Sequence, residues 1–161
     1  MSLRLATIGL LLALGGCGFQ PLYGQPAVTG GMTRISVVAP DGRVGYLLRE
    51  SLDDEFGRDK SIPAAWRLNM SIGEGRTALG LRPDATAQRY EYDMTVTYTL
   101  TEIATGKVAH RGAVTSAISY DSAVQPYAGI AAHQDTQDLL ASDLARKIQL
   151  EVSAWLARQP G

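Results

Sequence analysis

The chain has 161 residues, 15 basic against 16 acidic side chains for a formal charge of −1, one cysteine and two histidines. A near-neutral balance offers no electrostatic footprint for nucleic acid, a single thiol excludes an internal disulfide, and neither histidine stands in a metal-ligand spacing such as H-E-x-x-H. The length is that of one domain.

In chain order, the first feature is a leader. Met1 to Arg4 supply one positive charge, Leu5 to Leu14 are uncharged and leucine-rich, and Gly15 and Gly16 stand before Cys17. A basic start, an apolar core of about 7–15 residues and small residues before a cleavage point form a secretory signal, too short to span a bilayer. Leu14-Gly15-Gly16-Cys17 resembles the lipobox of bacterial lipoproteins, in which the cysteine takes a diacylglycerol and becomes the acylated amino terminus. The alternative is an ordinary signal with an incidental cysteine. On the lipobox reading, residues 1–16 are a lipoprotein signal peptide, and the mature chain has 145 residues and a charge of −2. Gly18, where enteric bacteria use Asp to retain lipoproteins in the inner membrane, points to the outer membrane.

Residues 17–32 contain Pro21, Pro26 and several glycines and are expected to be a lipidated, mostly extended tether. A single periplasmic α/β domain over 33–158 follows. Thr33 to Ala39 is β-branched and reads as a first strand ended by Pro40. Asp41 is a suitable N-cap for a helix carrying Val44, Leu47, Leu48, Leu52 and Phe56 at helical spacing, stopped by Gly57.

From Trp66 the apolar period becomes two. Trp66, Leu68, Met70 and Ile72 alternate with polar residues, and the looser stretch Gly73 to Arg89 prolongs this strand and turns the chain round. Tyr90 to Glu102 is the clearest strand, with Tyr92, Met94, Val96, Tyr98 and Leu100 on one face and a row of threonines, Thr95 to Thr101, on the other. Gly106 marks the next turn. Val108 to Tyr120 returns antiparallel, with Val108, His110, Val114, Ile118 and Tyr120 expected in phase. After a loop holding Pro126, a long helix from about Ile130 to Leu156 carries the stripe Leu140, Leu144, Ile148, Val152 and Trp155. The order β-α-β-β-β-α predicts an α/β (α+β) two-layer sandwich, a largely antiparallel sheet covered on one face by two helices.

No nucleophile elbow, phosphate loop or metal cluster is present, so no enzyme, cofactor or metal is expected. His110 reads as a hydrogen-bonded strand residue, and the threonine row as a solvated face or one that packs on a partner wall. Arg76, Arg82, Arg89, Lys107 and Arg111 cluster in sequence around the turns; each alone reads as a solubilising charge, and together they suggest a phosphate-binding patch.

The lipobox followed by Gly18-Phe19-Gln20-Pro21-Leu22-Tyr23-Gly24, the approach Leu81-Arg82 to Tyr90-Glu91-Tyr92, and Ser119-Tyr120-Asp121 through Pro126-Tyr127-Ala128 into the last helix together resemble the LPS-assembly lipoprotein LptE family, alphaproteobacterial type. That resemblance implies an outer-membrane lipoprotein that plugs and helps assemble the LptD β-barrel and assists lipopolysaccharide transport to the outer leaflet. The implied partners are an LptD-type barrel, lipopolysaccharide and the membrane through the lipid anchor. It also implies lipid contact through two basic positions. Arg82 matches the first, and the second falls at His133, where histidine replaces a lysine and is mostly neutral at pH 7. Arg76 or Arg89 could supply the missing charge. The competing expectation is an auxiliary lipoprotein of an ABC-type lipid transport system, which shares the signal, domain type and length.

Overall fold

The computed structural model describes residues 26–81, 87–121 and 126–159. The signal peptide, Cys17 and Arg82 lie outside the described residues. The described chain opens on a helix, α1 (Pro26–Met32), where the sequence suggested the end of an extended tether. Gly30 and Gly31 disfavour a helix, but Val28 and Met32, one turn apart, are buried in the core and hold it there. Gly31 lets α1 come close to the C-terminal end of the last helix: a Cβ at this position would stand 3.0 Å from a Leu156 methyl.

Strand β1 (Ile35–Val38) leads to α2 (Arg43–Glu55). The N-cap is Gly42, with φ 114 and no side-chain cap, so the expected capping role of Asp41 is not realised. The chain turns too sharply there for any residue but glycine to be comfortable. Three long strands follow: β2 (Trp66–Leu81), β3 (Ala87–Glu102) and β4 (Val108–Asp121). The final helix, α3 (Pro126–Leu156), begins four residues before the expected start. Proline at a first helical position has its φ already set and needs no N–H partner, which the loop reading of Pro126 overlooked.

The sheet order is β1-β2-β3-β4, with β1 parallel to β2 and the rest antiparallel. Helices α2 and α3 pack on each other and on one face of the sheet, giving the expected two-layer sandwich. Leu48 and Leu52 of α2, Phe56 at its C-cap, Leu68, Met94, Val96 and Leu100 of the sheet, and Leu140, Leu144 and Ile148 of α3 form the fully enclosed centre. The even-numbered residues of β2 and β3 face the helices, because their register sums to a constant and side chains alternate. Thr95, Thr97, Thr99 and Thr101 therefore face away from the helices, as expected.

One phase prediction fails. Leu100 pairs with His110 but Thr101 pairs with Val108, so Ala109 is an extra residue in β4. The bulge carries Val108 to the outer face, where it is 45% exposed, while His110 and Val114 stay inward. A one-residue insertion reverses the pleat, and periodicity read through it assigns the wrong side. The turn beside it is as expected, with Gly106 at φ 69.

Candidate functional site

The two ends of the sheet differ in chemistry. At the end where β2 and β3 approach the described limits, Tyr90, Tyr92 and Tyr120 gather on the helix-facing side. Tyr90 pairs across strands with Tyr120, their rings 5.8 Å apart, and Tyr92 stands opposite Arg76. The Arg76 guanidinium sits 4.8 Å from the centre of the Tyr90 ring, a cation–π contact of about 0.5–1 kcal/mol at an exposed site. His133, on the second turn of α3, packs edge-on against Tyr92 at 4.8 Å and lies 6.2 Å from Tyr120. The Tyr92 hydroxyl donates to Glu74 and accepts from Gln137 Nε2 at 3.4 Å. Burial, and then the hydrogen bond to Glu74, push the Tyr92 phenol up to about 12, so it stays a protonated donor at physiological pH. His133 Nδ1 is buried and has no hydrogen-bond partner among the described residues.

Of the predicted site residues, the fold brings Arg76 and His133 to this tyrosine cluster. Arg89 is at the same end but on the other face: its odd position turns it outward, where its Nε donates to Asp121 Oδ1 at 2.9 Å. Both partners are more than half exposed, so the pair contributes less than about 1 kcal/mol. The patch of five basic residues is not formed. Arg111 stands opposite Thr99 and Lys107 lies in the β3–β4 turn, ten or more residues along the strands from the Arg89–Asp121 pair, which is roughly 33 Å. Hairpin geometry sends sequence neighbours of different turns to opposite ends. Glu74 and Gln137 are not among the residues that the sequence singles out, and Tyr90 and Tyr120 stand there only in the family motifs and the strand phase; the in-phase tyrosines of β3 and β4 are a usable signal, whereas the α3 register that seats Gln137 is not.

At the opposite end, Tyr98 lies over Gly112, its cross-strand partner, and donates to Glu151 Oε2 at 2.6 Å. A Cβ at Gly112 would stand 2.4 Å from the tyrosine oxygen, so the glycine makes this placement possible. Burial and then Glu151 raise the Tyr98 phenol far above its ordinary value. His110 stacks on Trp155 at 5.7 Å, and Trp155 meets Trp66 edge-on at 5.2 Å. Burial lowers the His110 pKa; Glu151 opposes and Arg158 reinforces the shift. Its folded pKa being depressed, the contribution of neutral His110 is complete above about pH 6.5 and is lost as pH falls through the lower folded value. His110→Gln is expected to flatten stability, measured by urea unfolding, across that acidic window. An unchanged pH slope in the variant would show that other groups set it.

Among the described residues, no three His, Cys, Asp or Glu side chains are placed to hold a metal, and no helix is long and apolar enough to cross a membrane. What the domain presents is surface: a tyrosine–arginine end, an open polar sheet face and a charged helical layer. Together these features define a two-layer α/β sandwich that carries a polar sheet on one side and two helices on the other.

The family model for LptE, lipopolysaccharide-assembly, matches residues 32–151. The chain belongs to the LptE family, and its place is in lipopolysaccharide assembly. A Caulobacter crescentus protein described as a lipoprotein has 45% identity, with 83% of this chain and 98% of that one covered and a TM-score of 0.70. The expected likeness to the alphaproteobacterial type is thereby borne out. The minor lipoprotein of Acinetobacter baumannii (18% identity, 76% and 94% covered, TM-score 0.57) and the rare lipoprotein B of Shewanella oneidensis (17%, 74% and 93%, TM-score 0.58) share the fold. No curated protein matches the chain.

Proposed function

We propose that this chain is an outer-membrane lipoprotein, anchored through Cys17, that plugs and helps assemble an LptD-type β-barrel and assists passage of lipopolysaccharide to the outer leaflet. Beyond family membership, the observation that carries this reading is the length and polarity of the sandwich. Helix α1, the part of the described chain nearest Cys17, lies against Leu156 at one end. The Arg76–Tyr90 contact lies toward the other, ten residues along β2 from Trp66, or roughly 33 Å. The hydrocarbon core of a bilayer is about 30 Å thick. A domain tethered at the inner leaflet and standing in a barrel would bring its tyrosine–arginine end to the level of the outer headgroups. There Arg76 and Arg82 would meet lipid phosphates by charge-assisted hydrogen bonds, Arg89 would offer its charge only from the opposite sheet face and beside Asp121, and His133 would act through ring packing rather than fixed charge.

Affinity purification of the full chain from detergent-solubilised membranes tests both halves of this reading. The expected result is recovery with a large β-barrel and, after palmitate feeding, a label that Cys17→Ala abolishes. Recovery with an inner-membrane ATPase complex instead would favour the transporter accessory, and a label that survives Cys17→Ala would remove the anchor.

A further inference from the structure

The sheet face turned away from the helices is polar and low in its middle. Across β2, β3 and β4 the register places its side chains in rows: Arg67-Thr101-Val108, Asn69-Thr99-Arg111, Ser71-Thr97-Ala113, Gly73-Thr95-Thr115, Gly75-Asp93-Ala117 and Thr77-Glu91-Ser119. The two middle rows contain nothing larger than threonine, and hydroxyls bridge the strands there, Ser71 to Thr97 at 2.7 Å and Thr95 to Thr115 at 2.9 Å. Asp93 lies down over Gly75, so this row is low as well. A helix needs grooves for its ridges; a flat face of small residues suits another sheet, stacked about 10 Å away.

A seventh outward row, Leu79-Arg89-Asp121, is closed by its own ion pair, and the charges on the other six are ordered. Both basic residues, Arg67 and Arg111, occupy the first two rows, and both acidic ones, Asp93 and Glu91, the last two. Turning the face over about an axis between the Thr97 and Thr95 rows sets the Arg111 row against the Asp93 row and the Arg67 row against the Glu91 row. It sets the two small rows against each other. The face is therefore complementary to itself, as a two-fold contact between identical chains requires. A depression of about 340 Å³ beside Arg111, lined also by Asn69, Ser71, Thr97 and Thr99, would receive Thr95 and Asp93 of the second copy. Six rows on three strands cover roughly 600 Å² per copy, about 1,200 Å² in all, at the lower end of specific interfaces.

We propose that the open sheet face is a two-fold interface between two copies of this chain, formed when no other partner covers it. The inference does not rest on the barrel reading. The test is the detergent-corrected mass of the full-length protein by light scattering, at about 100 μM and low salt. A dimer is expected, weakened about tenfold or more by Arg111→Asp or by Asp93→Arg alone and restored when the two are combined. Far-UV circular dichroism confirms that each variant is folded. A photo-crosslinker at position 97 should join two copies, and one at Arg49 on α2 should not. A monomer throughout, a dimer indifferent to both single changes, single losses that the double variant does not restore, or crosslinks from position 97 only to other proteins would each overturn the proposal.

Discussion

Leu144→Ala is expected to destabilise the domain by about 2–5 kcal/mol, the range for truncating a fully enclosed leucine. Leu144 is 0% exposed and lies in the stripe of α3 that meets both α2 and the sheet. The loss combines the transfer free energy of the removed carbons with a cavity that the flanking helices and strands can only partly close. Leu139, five positions earlier on the same helix, is 60% exposed, and Leu139→Ala should change stability by less than about 0.5 kcal/mol. Urea unfolding of both variants measures the contrast. Equal losses would mean that α3 does not present this stripe to the core.

Gly45→Ala is expected to destabilise the domain by about 1–3 kcal/mol, against the usual sign for a helical glycine. In an open helix the substitution gains up to about 1 kcal/mol. Here a Cβ at Gly45 would stand 1.9 Å from the Pro40 carbonyl oxygen, a backbone atom that no rotamer change can move aside. The carbonyl occupies that place because Gly42, at φ 114, folds the incoming chain back over the first turn of α2. Gly30→Ala in α1 is the control, since nothing lies within 4 Å of its missing Cβ. If both variants gain stability, the close approach of Pro40 to α2 is wrong.

These two predictions differ in what they needed. Leu144 could be chosen from periodicity: the apolar stripe of α3 and the alternation from Tyr92 to Leu100 each bury the residues they promised. Gly45 could not, because a glycine in a helical pattern looks like a mild fault until a second segment is placed beside it. The same holds at the tyrosine-rich end. Arg76 and His133 were candidates by type and by resemblance, yet their meeting depends on a register that links β2 to β3 and on α3 starting at Pro126. Arg89 was a candidate of the same kind, and one position of pleat sends it to the opposite face.

The sequence by itself determined the fold class, the two helical stripes, the long central strand and the family, because each is written in local periodicity or short linear motifs. Only the tertiary structure decided which basic residues share a surface, that Val108 faces outward across a bulge, and that residues 26–32 fold as a helix. Those outcomes turn on register, on bulges and on burial against distant segments. Such contacts leave no periodic trace in the residues that make them.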